Sequence, residues 1–173
     1  DINLAGRSVD CRYTEKNKAE ILNSRIESTK VLNEAVLQCK NPPKHWLNSS
    51  TSTIYIHSEN KKMTEENGDI GNDFSMTIAK KWEDEFFKTK TPNTKKTALR
   101  TSIVLGKNGG AFIPLKRLTQ FGLGGKQGNG NQFISWIHEL DFARAVDFII
   151  QKELKGKINI VSPKPIKNNE FMR

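Results

Sequence analysis

The segment WLNSSTSTIYI at residues 46–56 decides the fold class, because its Thr and Ile content is typical of a buried strand and its exit loop. Upstream, residues 14–39 carry apolar side chains at helical spacing, and Thr14 is placed to cap the helix. The helix ends at the Asn-Pro-Pro sequence of residues 41–43, because a residue before proline avoids the helical conformation. A long helix followed by a buried strand is therefore predicted.

Downstream of this strand, helices and strands continue to alternate after a polar loop at residues 57–72. The spacing of apolar residues predicts helices at 73–88, 111–119 and 138–152, and strands at 98–106, 132–137 and 157–162. Alternation at this interval favours right-handed crossovers and a mostly parallel sheet that is covered on both faces. The predicted fold class is therefore α/β.

Length and composition are typical of one globular domain, since the chain has 173 residues of which 35% are hydrophobic. No apolar run approaches the roughly 20 residues of a membrane span, and no secretory signal precedes the first elements. Cys11 and Cys39 lie far apart without a partner motif, which predicts neither a disulfide framework nor a metal site. We expect a soluble, cytoplasmic protein.

The chain is basic, with 28 Lys and Arg against 19 Asp and Glu and a net charge of +9. Such a balance favours polyanions, among them nucleic acid. The lysines are scattered between acidic residues, however, and no strand alternates aromatic and basic side chains as RNA-binding sheets do. A solvated surface is therefore favoured over a nucleic-acid groove, and RNA binding depends on net charge alone.

The glycine-rich stretch GLGGKQGNGNQ at residues 122–132 differs from a dinucleotide-binding fingerprint. Such a fingerprint follows a strand and opens a helix, whereas this stretch follows a predicted helix and precedes a strand. The spacing of Gly122, Gly124 and Gly128 is not GxGxxG either. We expect a flexible loop near the open end of the sheet, which is either a plain Gly/Asn turn or a lid that contacts substrate.

Several short motifs carry a family resemblance. The chain contains, in order, NLAG (3–6), SR (24–25), SSTSTIY (49–55), WE (82–83), LRTSIVLGKNGG (99–110) and SWIHELD (135–141). In these motifs it resembles the extended short-chain dehydrogenase/reductase family. More narrowly, it is similar to the sugar-nucleotide epimerase-like branch of the NAD-dependent epimerase/dehydratases, some members of which bear a cell-division-inhibitor label. The resemblance covers essentially all 173 residues.

The resemblance implies a Rossmann-like three-layer sandwich that binds NADP or NAD. It also implies that residues 1–173 are the C-terminal part of a longer domain, whose glycine-rich pyrophosphate-binding turn would lie upstream of Asp1. Residues 168–173 would begin a C-terminal segment. The positions that the resemblance assigns to the cofactor are Leu4, Ala5, Gly6, Ser49, Ser50 and Arg100.

Catalytic roles transfer from the family only in part. Thr51 takes the place of the strand-end hydroxyl that binds the substrate oxygen, although a hydroxyl there can equally bond local backbone in a turn. The family's Tyr and Lys are replaced by Ser75 and Ala79. Tyr55 is either a substitute acid or a packed aromatic residue with its hydroxyl at the surface.

Substrate contacts are implied at Gly124, Gln132 and His138. Sugar-nucleotide epimerases carry a phosphate-binding Arg two residues after this Gln, but Ile134 stands there in this chain and cannot form such bonds. His138 could pair with Asp141 as an acid and base. The alternative is that Asp141 simply favours the exposed amides of a helix's first turn.

The function that follows is NAD(P)-dependent epimerisation or oxidoreduction of a small hydroxy/keto or sugar-nucleotide-like substrate. The alternative is a non-catalytic NADP-binding sensor or interaction module, which the missing Tyr and Lys favour. The expected partners are a nicotinamide dinucleotide and a small-molecule substrate, and a homodimer is compatible with both functions. Neither membrane nor nucleic-acid binding is expected.

Overall fold

The computed structural model describes residues 1–107, 109–110, 112–121 and 124–172. The strands are β1 (Ile2–Asn3), β2 (His45–Thr51), β3 (Lys95–Thr101), β4 (Ile103–Gly106), β5 (Gly109–Gly110), β6 (Phe133–Ile134), β7 (Trp136–His138), β8 (Gly156–Ile160) and β9 (Ile166–Lys167). The helices are α1 (Glu15–Gln38), α2 (Phe74–Lys88), α3 (Phe112–Gln120), α4 (Glu139–Gln151) and α5 (Asn168–Phe171).

The central sheet has the strand order β1-β2-β3-β8, and all of its neighbouring strands are parallel. Its register places Ile2 opposite Leu47, Leu47 opposite Thr97, and Thr97 opposite Gly156. Two smaller sheets have the strand orders β5-β4-β7 and β6-β9. The predicted mostly parallel α/β sheet is confirmed.

Helices cover both faces of the central sheet, because consecutive residues of a strand point to opposite sides. On one face the buried Trp46 packs with Val36 of α1 and Phe86 of α2. On the other face Leu47 packs with Ile149 of α4. The molecule therefore has three layers, with an apolar core on each side of the sheet.

Helix boundaries agree with the sequence patterns to within a residue or two. The Thr14 hydroxyl accepts a hydrogen bond from the backbone N–H of Asn17 at 3.2 Å, which is the predicted cap of α1. The helix α2 follows Asp73, and α4 follows His138. Among the described residues, no helix has both the length and the apolar character that a membrane crossing needs.

Two predicted strands are each divided in the structure, which corrects the sequence interpretation. The expected strand 98–106 breaks at the buried Ser102, whose N–H and hydroxyl both donate to the carbonyl oxygen of Ile160 at 3.1 Å. The expected strand 132–137 breaks at Ser135, so that β6 pairs with β9 and β7 pairs with β4. Both breaks come from pairing with distant strands, which local sequence does not encode.

The described part of the glycine-rich loop, residues 124–132, is tied to the start of α5. The buried Asn168 accepts from Gln127 N–H at 2.7 Å and donates its own N–H to the Gln132 carbonyl oxygen at 2.9 Å. Gly130 adopts a φ of +75°, a conformation that favours glycine, and its carbonyl oxygen accepts from Asn169 N–H. The expected loop therefore has specific partners in residues 168–169, while Gly122 lies outside the described residues.

Candidate functional site

The candidate site lies where the four parallel strands end, here called the carboxyl edge. Ligands of open α/β sheets bind outside this edge. The exposed segment Leu4, Ala5 and Gly6, here called the LAG segment, follows β1 at this edge. Thr51 ends β2 at the same edge. Parallel pairing thus brings the LAG segment and Thr51, both predicted from the sequence, to the same carboxyl edge of the sheet.

The LAG segment begins at a buried asparagine. Asn3 donates from Nδ2 to Asn48 Oδ1 on β2 at 2.7 Å, and its Oδ1 accepts from Ala5 N–H at 3.0 Å. These bonds turn the chain out of the sheet and leave Leu4 62% exposed. Residues 4–6 are therefore all exposed to solvent.

The three hydroxyl residues at the end of β2 have different environments. Ser49 is half-buried, whereas Ser50 is buried and donates to Glu83 Oε1 at 2.7 Å. The half-buried Thr51 hydroxyl lies 2.9 Å from Thr53 Oγ1 and accepts from Thr53 N–H at 3.2 Å. Thr51 thus caps a short 3-10 turn, which is the backbone role that the sequence analysis gave as one alternative. The other alternative, binding of a substrate oxygen, is compatible with its position at the carboxyl edge.

A buried ion pair lies beneath these hydroxyls. Arg100 of β3 donates from Nε and Nη2 to the two carboxylate oxygens of Glu83 on α2, both at 2.8 Å. The side chains are only 1% and 3% exposed. Two parallel bonds between a planar guanidinium and a carboxylate are strong and fix the relative orientation of strand and helix.

The pair determines the ionisation of both groups. Burial alone would raise the pKa of Glu83, but hydrogen bonds from Arg100 and Ser50 lower it below its ordinary value. Burial likewise opposes the charge of Arg100, yet the bonds that it donates to Glu83 and Tyr55 raise its pKa. Both groups are charged at neutral pH, and the guanidinium of Arg100 is directed into the protein. The Arg100 side chain is therefore held in the interior by Glu83 and Tyr55.

Tyr55 extends the network toward the outer strand β8. Its hydroxyl accepts from Arg100 Nη1 at 2.6 Å and donates to Asn159 Oδ1 at 2.9 Å. Asn159 in turn donates its N–H to Glu65 Oε1 at 2.7 Å, which holds the loop 57–72 against β8. The sequence interpretation of Tyr55 as a packed aromatic is confirmed for the ring, but its hydroxyl is internal to a hydrogen-bond network rather than at the surface.

The positions of the family's Tyr and Lys offer no acid or base. Ser75 is exposed, and Ala79 is completely buried against Ile54 and Tyr55. The nearby Lys80 donates to the side chain of Asn72, and Lys81 is exposed. The structure brings neither lysine into the Tyr55 network.

The residues expected to contact substrate lie on the later elements. His138 caps α4, since its Nδ1 accepts from Leu140 N–H at 3.2 Å. Asp141 pairs with Arg144 at 3.0 Å, so the structure shows the helix-terminal arrangement and no His–Asp pair. Gln132 donates to the Gln127 carbonyl oxygen at 2.8 Å.

Gly124 packs closely against Thr119 of α3. A Cβ built on Gly124 would lie 2.5 Å from Thr119 Oγ1, which is closer than a side chain tolerates.

Cys11 and Cys39 are both free thiols. Over the described ranges, no three His, Cys, Asp or Glu side chains are grouped so that they could hold a metal ion.

Sequence reasoning missed Glu83 and Asn159 as members of this site. A signal for Glu83 was present, because it falls at the same helical spacing as the buried Ala79, Trp82 and Phe86. A carboxylate on an apolar helix face requires a buried cation, and Arg100 in an apolar strand requires a buried anion. Asn159 carried no such signal, since its role depends on the alignment of β8 with β3.

Comparison with known proteins places these features in a family. Residues 2–161 match the model of the NAD dependent epimerase/dehydratase family. Epimerase family protein YfhF of Bacillus subtilis is 33% identical over 172 residues, which make up 98% of this chain and 56% of that protein. The chain therefore spans just over half the length of this relative.

Solved structures agree with the sequence match. The crystal structure of human epimerase family protein SDR39U1 (isoform 2) with NADPH is 31% identical, with a TM-score of 0.90 over 98% of this chain and 59% of that one. A nucleoside-diphosphate sugar epimerase from Corynebacterium glutamicum is 26% identical, with a TM-score of 0.80 over 99% of this chain and 36% of that one. These matches and the parallel three-layer fold establish that the chain belongs to the NAD dependent epimerase/dehydratase family.

Proposed function

We propose that the carboxyl edge of this chain forms part of a nicotinamide dinucleotide site, in a protein that epimerises or oxidises and reduces a small hydroxy/keto or sugar-nucleotide-like substrate. The observation that supports this most directly is the likeness to the human protein solved with NADPH, which extends over 98% of the chain. NADP is preferred to NAD on the same ground.

The residues present fit such a ligand. The LAG segment leaves the sheet with accessible backbone, beside the strand end that carries Ser49 and Thr51. Small residues and free backbone groups suit the close approach of a flat, extended dinucleotide. Leu4, Ala5, Gly6 and Ser49 would line it, whereas Ser50 and Arg100 would support the strand ends from below.

In the catalytic form of the proposal, the bound nicotinamide supplies the hydride acceptor or donor. Thr51 orients the substrate, because its hydroxyl can donate to or accept from a substrate oxygen at the carboxyl edge. Tyr55 does not substitute directly for the missing acid, since its proton is donated to Asn159 and its oxygen accepts from Arg100. It holds the loop that follows β2 in place.

A small hydroxy/keto compound is favoured as substrate over a nucleotide sugar. Ile134 lies in β6 at the position where the family's epimerases place a phosphate-binding arginine. An isoleucine has no guanidinium, so this position cannot form the paired hydrogen bonds by which an arginine binds a diphosphate.

The second candidate is a non-catalytic, NADP-binding sensor or interaction module. The buried Ala79 favours it, because the space that a catalytic lysine would need is filled by contacts with Ile54 and Tyr55. In this case the bound dinucleotide would stabilise a surface that a partner recognises.

The test is a fluorescence titration of the complete protein with NADPH and NADH, followed by turnover assays with a panel of keto compounds. We expect Thr51→Ala to retain NADPH binding and to lose about 100-fold in turnover, as expected when one hydrogen bond to a reacting oxygen is removed. Thr53→Ala is the matched control, because it breaks the same Thr51–Thr53 bond but keeps the Thr51 hydroxyl.

Equal losses in the two variants would assign the effect to the turn and contradict a role for Thr51. NADPH binding without turnover in the wild-type protein would favour the sensor. A wild-type protein that binds neither dinucleotide would overturn both forms of the proposal.

A further inference from the structure

Two consecutive residues of α1 hold the backbone directly after the LAG segment. The N–H of Arg7 donates to Ser24 Oγ at 3.0 Å. The carbonyl oxygen of Arg7 accepts from Arg25 Nη1 at 3.1 Å. Both polar backbone groups of one exposed residue are thus bound by adjacent side chains, which determines the path of the chain as it leaves Gly6.

The two side chains are themselves held in position. Ser24 Oγ donates to the Ile21 carbonyl oxygen at 3.0 Å, and Arg25 Nη1 donates to the same oxygen at 2.9 Å. The Arg25 guanidinium lies 5.2 Å from the ring of Trp82 on α2, within the range of a cation–π contact. Trp82 is buried and donates from Nε1 to Thr29 Oγ1 at 3.0 Å. The contacts therefore connect the LAG segment through α1 to α2.

Gly6 lies directly against this arginine. A Cβ built at Gly6 would be 3.2 Å from Arg25 Cζ, which is tighter than nearly all real contacts of a Cβ. The guanidinium therefore occupies the space beneath the segment, and the absence of a side chain at Gly6 lets the backbone rest on it.

Core packing does not explain these contacts, because residues 4–10 are all exposed. What the bonds stabilise is the local shape of a segment at the carboxyl edge. We infer that Ser24 and Arg25, supported by Trp82, are positioning residues that hold the LAG segment in the shape that a dinucleotide binds. This inference depends on the proposed function and assigns a positioning task to the SR motif and to Trp82 of the WE motif.

Ser24→Ala has a matched control in Ser28→Ala. Both serines donate to a carbonyl oxygen three residues earlier in α1, Ser24 to Ile21 at 3.0 Å and Ser28 to Arg25 at 3.1 Å. Only Ser24 also accepts from Arg7 N–H. In the complete protein we expect similar melting temperatures for the two variants without ligand. We expect the dissociation constant of NADPH to rise about fivefold for Ser24→Ala and to stay unchanged for Ser28→Ala.

A second variant and a second measurement keep a structural effect separate from a positioning effect. Arg25→Lys retains the charge but loses the planar contact with Trp82, and we expect about tenfold weaker NADPH binding. Hydrogen exchange at the Arg7 amide, measured without cofactor, should accelerate in Ser24→Ala and not in Ser28→Ala.

If the Arg7 amide exchanges faster but NADPH binds as in the wild type, the positioning inference is overturned while the proposed function stands. Equal weakening of NADPH binding by both serine variants also overturns it. Absence of NADPH binding in the wild-type protein would instead refute the proposed function, and the inference with it.

Discussion

At the scale of single residues, the Glu83–Arg100 pair is the strongest polar interaction of the candidate site. Both charges are removed from water, so their mutual attraction, the bond from Ser50 to Glu83 and the bond from Arg100 to Tyr55 must offset the loss of hydration. Removal of Glu83 would leave the buried Arg100 without its counter-charge, and removal of Arg100 would leave Glu83 with the Ser50 bond and with Lys157 at 3.5 Å. The pair therefore specifies the contact between α2 and β3, whatever its net contribution to stability.

We expect Glu83→Gln to lower the free energy of unfolding by about 3 kcal/mol at pH 7, because Arg100 loses its counter-charge in the interior. Urea unfolding measures this effect. Glu85→Gln is the matched control on the same helix, since Glu85 lies 3.7 Å from the exposed Lys88. A control variant that loses as much stability as Glu83→Gln would contradict the assignment.

The same pair predicts a pH dependence. The pKa of Glu83 is lowered in the folded protein, so the unfolded chain binds this proton more readily. The contribution of Glu83 is therefore fully present above its ordinary value of 4.5 and is lost as the pH falls through the lower, folded pKa. The stability difference between wild type and Glu83→Gln should shrink below pH 4.5, and a constant difference down to acid pH would contradict this.

At the scale of elements, Lys96 secures the C-terminal end of α2. Its Nζ donates to the carbonyl oxygens of Phe86 and Thr89, both at 2.8 Å, and to Asn33 Oδ1 of α1 at 2.7 Å. It also lies 5.1 Å from the ring of Trp46. One ammonium group thus connects β3, α1 and the free carbonyls at a helix end, where a cation is favoured.

We expect Lys96→Met to lower the free energy of unfolding by about 2 kcal/mol, because it leaves carbonyl oxygens at the end of α2 without a donor. Lys95→Met is the control, since the neighbouring lysine points to the other face and binds the exposed Glu153. Thermal and urea unfolding should show a clearly smaller effect for Lys95→Met. Equal effects would mean that net charge, and not the bonds of Lys96, is responsible.

At the scale of the whole molecule, β1 is one of the two edge strands of the parallel sheet. Within the described residues no strand pairs with its outer side, and Ile2 and Leu4 next to it are 46% and 62% exposed. Open strand edges with apolar side chains pair readily with other chains.

We expect residues 1–173, produced alone, to self-associate at micromolar concentration, as measured by size exclusion with light scattering. Ile2→Lys should reduce the association, because a charge blunts a strand edge. Val31→Lys adds the same charge at a 60% exposed position on α1 and should not. A monomeric wild-type chain with one cooperative unfolding transition would contradict this prediction.

Local patterns predicted most of the elements, because helix and strand periodicities are properties of neighbouring residues. The helix α1 with its Thr14 cap and the helix α2, which ends at Lys88, both lie where the sequence predicts them. Two failures were at Ser102 and Ser135, where continuous strand patterns are divided between sheets, and the two-residue strands β1, β5 and β9 were not predicted. Partners more than 30 residues away decide these breaks, as the bond from Ser102 to Ile160 shows.

The sequence by itself determined the α/β class and the order of the main elements, because helix and strand periodicities can be seen in the sequence alone. The order of its short motifs indicated the family. The resemblance also implies that Ser75 and Ala79 stand where the family has its Tyr and Lys. Only the tertiary structure decided that Arg100 is paired with Glu83 and that Tyr55 has an internal hydroxyl. The reason is physical: the role of a polar side chain depends on which groups surround it, and those groups come from strands and helices that are distant in the chain.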